Sequence, residues 1–280
     1  MDLYWGDNKM QRRLFTRRVI ALSVATIFST LLIGCQQEKT AEIKVGATAG
    51  PHAAIVNEAA KQAKEQGLNV KVVEFTDYIG PNASLNDGAL DVVVYQHEPF
   101  LNNFNKQKGT HLKKIADAVV QPMGFYSNRV KSLESVPENA KVSIPNDPTN
   151  GGRALLLLQA SGLIKLKEGV TGSTATIADI VENPKNIKVV ELEAAQLPRS
   201  LDDVEFASIP MNYVISSGLS PRDQGFYFED RKAPFALMII ASRENNAKDP
   251  NVQKFVKAYQ SEKVRQFIDK EFKGAVKAAW

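Results

Sequence analysis

The 280-residue chain carries one cysteine, Cys35, and three histidines, His52, His97 and His111. A lone thiol excludes an internal disulfide, and it leaves the chain beyond it with no cysteine-based metal site and no cysteine nucleophile. Three scattered histidines with no His-rich loop make no zinc or manganese carrier. The sequence also lacks a nucleophile elbow, a phosphate-cradling glycine loop, a dinucleotide fingerprint and a paired-histidine metal motif. Asp202 and Asp203 are adjacent carboxylates, but neighbours along a strand or helix point apart, which suits a turn rather than an acid/base dyad. The expectation is a non-enzyme without a cofactor.

Charge of one sign is missing as well. The whole chain is formally +4, yet beyond residue 35 the count is 30 basic against 29 acidic residues. A near-neutral protein has no general footing for nucleic acid. The basic stretches Lys113-Lys114 and Arg129-Val130-Lys131 read as solvated surface.

What is present begins with Arg12, Arg13, Arg17 and Arg18, followed by an apolar run from Val19 to Ile33. That run is too short to span a bilayer comfortably, which needs about 20 residues, and the order of basic, apolar and small residues is that of an export signal. Leu32-Ile33-Gly34-Cys35 resembles the lipobox of bacterial lipoproteins, which implies cleavage before Cys35 and a diacylglycerol on its sulfur. Residues 1–35 are then a lipoprotein signal peptide and 36–42 a polar tether. The implied location is the cell envelope, anchored to a membrane by lipid; Gln36 after Cys35 leaves both the inner and the outer membrane open. Met10 offers an alternative start to Met1.

From Ile43 onward strands and helices alternate. Ile43-Lys44-Val45-Gly46 reads as a strand; Gly50-Pro51 opens a helix with Ile55, Ala59 and Ala63 on one face, ending near Gly67. Leu68–Phe75 and Asp91–Tyr95 are further strands around a short helix at Pro81–Leu90. Lys141–Ile144, Ile187–Leu192, Val204–Ile209 and Phe235–Ala241 follow. Asn251–Lys270 reads as two short helices with Phe255, Tyr259 and Phe267 facing a core. This pattern predicts an α/β protein with mostly parallel strands. Such folds bind ligands at the carboxyl ends of strands, and three unusual clusters fall there: Phe75-Thr76-Asp77-Tyr78, Tyr95-Gln96-His97-Glu98-Pro99-Phe100, and the helix start at Asn150-Gly151-Gly152-Arg153. Leu112–Tyr126 and Phe226–Ile240 are candidate crossings between two lobes.

The Asn146–Arg153 helix start breaks the usual rules. Thr149 or Asn150 is the expected N-cap. Two glycines cost about 0.8–1 kcal/mol each relative to Ala inside a helix, and Arg153 places a cation at the positive end of the macrodipole, unfavourable by about 0.3–1 kcal/mol. Two readings follow: a carboxylate or phosphate held by free N–H groups and the guanidinium, or an internal pair between Arg153 and a neighbouring acid such as Asp147.

On these clusters, together with Pro81-Asn82, Pro122–Ser127, Ile144–Asn150, Gln196–Asp203 and Trp280, the chain resembles the NlpA/MetQ family of lipoproteins, the methionine-binding components of bacterial ABC importers. The resemblance implies a two-lobed, type II periplasmic-binding-protein fold, with residues 43–121 plus 227–280 as one lobe and 122–226 as the other. It implies methionine, L or D, or a related amino acid as ligand and a permease–ATPase complex as partner. By motif position Asn150 and Arg153 hold the ligand carboxylate, while Tyr78, Tyr95, His97 and Phe100 wall a thioether pocket. Aromatic faces suit a polarizable sulfur at about 0.3–1.5 kcal/mol per contact. Many relatives carry Asn where this chain has Pro210; Asn212 is the candidate replacement, and the ligand is alternatively a different amino acid or a methionine-containing dipeptide. Gln121 is a further candidate facing the pocket. A surface interaction lipoprotein on the same fold, adhesin-like and with altered or lost amino acid binding, is the competing reading.

Overall fold

The structure, a computed structural model, describes residues 41–280, so the expected signal peptide, Cys35 and most of the tether lie outside the described residues. In chain order the elements begin with β1 (Ala41–Thr48), α1 (Pro51–Glu65), β2 (Leu68–Phe75), α2 (Gly80–Asn86), β3 (Val92–His97), α3 (Glu98–Lys108) and β4 (Leu112–Val120). There follow β5 (Gly124–Tyr126), β6 (Lys141–Pro145), α4 (Pro148–Ala160), β7 (Lys165–Leu166), β8 (Ile180–Glu182), β9 (Lys188–Leu192), α5 (Leu197–Ser200), β10 (Phe206–Ile209) and α6 (Met211–Ser216). β11 (Gly225–Phe228), β12 (Leu237–Arg243), α7 (Pro250–Tyr259), α8 (Glu262–Phe272) and β13 (Lys277–Ala278) complete the chain. No helix among the described residues is long and apolar enough to cross a membrane.

Two main sheets organise these elements. The first has the order β13-β4-β12-β3-β1-β2 and the second β11-β5-β10-β6-β9. Alternation of strand and helix produces the parallel pairs β1–β2, β1–β3, β6–β9 and β6–β10. The strands on either side of the passages between sheets pair antiparallel, β12 with β3 and β4, and β5 with β10 and β11. Both sheets are therefore mixed rather than mostly parallel. A chain that leaves a sheet and later re-enters it need not use a right-handed crossover, so its direction is free to reverse. It passes from the first sheet to the second between Val120 and Gly124 and returns between Phe228 and Leu237.

Burial follows the pattern written in the sequence. β3 is buried at every residue, as expected for a central strand covered on both faces. On α1 the residues Ile55, Ala59 and Ala63 are fully buried, and α7 seats Phe255 and Tyr259 in the same core. Phe267 of α8 is partly buried against it. A second core surrounds Phe125, Phe206, Leu155 and Leu158 beneath the second sheet. Each such side chain contributes about 1.5–3 kcal/mol on burial.

Candidate functional site

The helix start that opens the site is capped by Asp147, not by Thr149 or Asn150. Asp147 has extended backbone, Pro148 occupies the first helical turn, and the Asp147 carboxylate accepts from Asn150 N–H at 2.9 Å. The signal for this was in the sequence: proline is favoured at the first helical position, which makes the preceding Asp the natural cap. Asp147 also accepts from Asn150 Nδ2 at 3.2 and 3.1 Å and from Thr149 Oγ1 at 3.1 Å. The protein thus supplies its own anion at the positive end of α4. Burial nevertheless pushes the Asp147 carboxyl above its ordinary value, against those hydrogen bonds.

The glycines have a packing reason. A Cβ on Gly152 would lie 2.3 Å from the Gly172 carbonyl oxygen, and one on Gly151 2.8 Å from the Pro145 carbonyl oxygen. They let α4 approach other backbone, rather than opening it to a ligand.

Arg153 is paired, but with Glu229 rather than Asp147. Its Nε donates to the two Glu229 oxygens at 3.1 and 3.2 Å, and Nη2 donates to Glu229 Oε2 at 2.6 Å and to the Gln121 carbonyl at 3.1 Å. The side chains of Arg153 and Glu229 are 3% and 10% exposed, so the pair is buried. Glu229 stands where the chain returns to the first sheet; its carboxylate also accepts from Met123 N–H at 3.1 Å, and its own N–H donates to the Met123 carbonyl at 2.9 Å. One acid therefore ties both passages between sheets to Arg153. Nothing in the sequence near Arg153 points to it. What remains of the guanidinium is Nη1, whose one hydrogen-bond contact among the described residues is a long 3.5 Å approach to Asn150 Oδ1.

All seven candidate residues line a single cavity. Tyr78, Tyr95, His97 and Phe100 come from the carboxyl ends of β2 and β3 and the start of α3; Asn150 and Arg153 come from α4, and Asn212 from the start of α6. Gln121 joins them from the end of β4, with Gln96, Pro210, Met211 and Met238 completing the wall. Tyr95, His97, Gln121, Arg153 and Asn212 are each 3% exposed, so most of the cavity's polar lining is shielded from solvent.

The aromatic end is a connected set. Tyr78 and Tyr95 rings lie 6.1 Å apart, and Phe100 meets Tyr78 edge-on at 5.9 Å. Tyr213 and Phe235, not foreseen from the sequence, extend the set through Tyr78 at 5.1 Å and His97 at 5.2 Å. Tyr95 OH donates to the Tyr78 carbonyl at 2.9 Å. Burial raises both phenols far above their ordinary range, so they stay protonated.

Besides Arg153 to the Gln121 carbonyl, hydrogen bonds join residues at or after strand ends of the first sheet to residues that follow strands of the second: Tyr78 OH to Asn212 Oδ1 at 2.7 Å, His97 Nε2 with Asn150 Oδ1 at 3.0 Å, and Tyr213 OH to the Thr76 carbonyl at 3.1 Å. His97 Nδ1 accepts from Phe100 N–H at 3.1 Å and caps α3, which leaves the proton on Nε2 to donate to Asn150. Burial, with the Arg153 charge beside it, lowers the His97 pKa to about 3, so the ring is neutral. The amides Gln121 Nε2 and Asn212 Nδ2 are buried and have no hydrogen-bond partner among the described residues. Among those residues no group of three or more His, Cys, Asp or Glu is placed to hold a metal ion.

Comparison with known proteins places this geometry in context. The chain is 43% identical over 271 residues to the D-methionine-binding lipoprotein MetQ of Escherichia coli K12, covering 95% of this chain and 99% of that protein. It is 42% identical to outer membrane lipoprotein 3 of Mannheimia haemolytica, covering 91% and 96%. A solved structure of a nutrient-binding protein from Burkholderia cenocepacia bound to methionine superposes with a TM-score of 0.83 at 46% identity, covering 85% of this chain and all of that one. The NlpA lipoprotein family model matches residues 43–280, and the chain belongs to that family.

Proposed function

We propose that this protein is the lipid-anchored receptor of an ABC importer and binds methionine or a close analogue between two lobes, residues 43–121 with 227–280 and residues 122–226. The observation that carries the reading is the cavity whose wall combines a buried guanidinium with an aromatic set. Arg153 Nη1 and the unpartnered amides of Gln121 and Asn212 are donors for a carboxylate, and Tyr78, Tyr95, His97 and Phe100 face the thioether. A ligand touching elements that follow both sheets favours the closed arrangement by its differential affinity, and the closed form is the one that docks on the permease. Cys35 is the proposed lipid attachment site, on the periplasmic face of the inner membrane or on the outer membrane.

Mass spectrometry of ligand retained on the purified protein, followed by calorimetry with that ligand, tests the reading. The expected result is a small thioether acid that binds with one-to-one stoichiometry. Absence of any response to amino acids, their analogues or small peptides would refute it and favour a surface interaction lipoprotein. Cys35→Ala is expected to move the protein out of the membrane fraction.

A further inference from the structure

Tyr213 follows Asn212 on α6, but the two side chains serve different spaces. Asn212 lines the cavity, whereas Tyr213 lines a separate outer groove together with Ala49, Thr76, Arg199 and Ser216. Thr76, Arg199 and Ser216 are exposed, so the groove meets solvent, while Tyr213 itself is buried. Its ring packs 5.1 Å from that of Tyr78, which does line the cavity, and its hydroxyl donates to the Thr76 carbonyl at 3.1 Å. The phenol thus fills the space between Tyr78 and the groove. On the other side of the cavity, at Gln121 and Arg153, both passages of the chain between the sheets are tied together. The turn before α1 fits against the same helix as Tyr213: Gly50 has φ +91°, and a Cβ there would lie 2.9 Å from Ser216 Cβ.

The bond from Tyr213 to Thr76 joins α6, which follows a strand of the second sheet, to the residue just past β2 in the first, and it exists only while the two sides are together. Its acceptor is a backbone carbonyl at an exposed residue, which water satisfies once the sides part. Burial, with the charges of Glu193, Asp77 and Asp147 nearby, raises the phenol above its ordinary range, so it stays a donor. The hydroxyl therefore favours the closed arrangement over the open one, and it does so without lining the cavity. We infer that Tyr213 is a positioning residue, a latch whose hydroxyl bond to Thr76 holds the closed arrangement and sets how long a ligand stays bound. This rests on the reading of the cavity as the ligand site, proposed above.

Stopped-flow fluorescence on the protein freed of retained ligand, with L-methionine and D-methionine as probes, tests the latch. A ligand enters the open form, where the bond is absent, and leaves only after the closed form opens. Tyr213→Phe keeps the ring against Tyr78 and removes one hydrogen bond, so dissociation is expected to be about threefold to tenfold faster, with association changed by less than about twofold. The urea midpoint of the ligand-free variant is expected to match that of wild type. Ser216→Ala is the control, in the same helix and groove, because its hydroxyl bonds only within the helix among the described residues; both rates should stay as in wild type, and an equal acceleration there would overturn the latch. An unchanged dissociation rate in Tyr213→Phe would overturn the inference and leave the cavity reading standing. Slower association together with a lower urea midpoint would give Tyr213 a purely structural role and overturn it as well. Wild-type protein that binds neither methionine would overturn both.

Discussion

Arg153→Met separates the two roles that the structure gives this side chain. The substitution removes the counter-charge of Glu229, whose side chain is 10% exposed, along with three guanidinium contacts to it. Breaking a buried ion pair from one side costs about 3–5 kcal/mol, because a charge is left without its partner. Glu229→Gln alone, which strands Arg153, is expected to cost a similar amount. Replacing both members with uncharged groups of similar size is often close to neutral, so Arg153→Met/Glu229→Gln should recover most of the loss; Gln keeps an oxygen for Met123 N–H. Binding should behave differently, because the donor facing the ligand is gone in both Arg153 variants. Loss of one member of a charge-assisted pair predicts at least about 2 kcal/mol, roughly thirtyfold in Kd. Urea denaturation of the four proteins gives the stabilities, and calorimetry gives the affinities. A double variant as unstable as the singles would refute the ion-pair account, and unchanged affinity in Arg153→Met would refute its place in the binding site.

Acid should destabilise the fold through its buried imidazoles. His52 and His97 are both held neutral by burial, with pKa values lowered from 6.5 to about 3. Between those values the unfolded chain binds protons that the folded chain does not, so stability falls as pH falls, by up to about 1.4 kcal/mol per pH unit for each histidine. Urea midpoints measured from pH 7 to 5 should show this slope, and a His52→Gln/His97→Gln variant with an undiminished slope would assign it elsewhere. Gly152→Ala should destabilise by about 1–3 kcal/mol through overpacking against Gly172, where helix propensity alone predicts a gain of about 1 kcal/mol; stability equal to wild type or above would show that α4 can move aside.

Local features were legible where local chemistry decides them. Gly50-Pro51 starts α1, the apolar runs at Leu68–Phe75 and Asp91–Tyr95 fall on β2 and β3, and of the residues selected to face a core α7 buries Phe255 and Tyr259 while Phe267 of α8 is partly buried. Tyr78, Tyr95, His97, Phe100, Asn150 and Arg153 were legible as a group because strand ends in α/β proteins converge, Asn212 entered through the family resemblance, and the structure brings all seven to one cavity. Asp147 as the cap was also readable, from the proline after it.

The partner of Arg153 was not legible. The pair spans 76 residues, and it forms only because the chain returns to the first sheet beside α4. The two α4 glycines read only as a cost to the helix, whereas their close neighbours are the carbonyls of Pro145 and Gly172, set by how the loop at Gly172 folds back over the helix. The mixed pairing of both sheets has the same origin, in strands whose direction depends on where the chain re-enters. The sequence by itself therefore determined the elements, the family and the set of residues that meet, because propensity, periodicity and motif order are properties of neighbours along the chain. Tertiary structure alone decided which charges neutralise each other and which donors remain free in the cavity, because desolvation and hydrogen bonding act between groups that only the fold brings together.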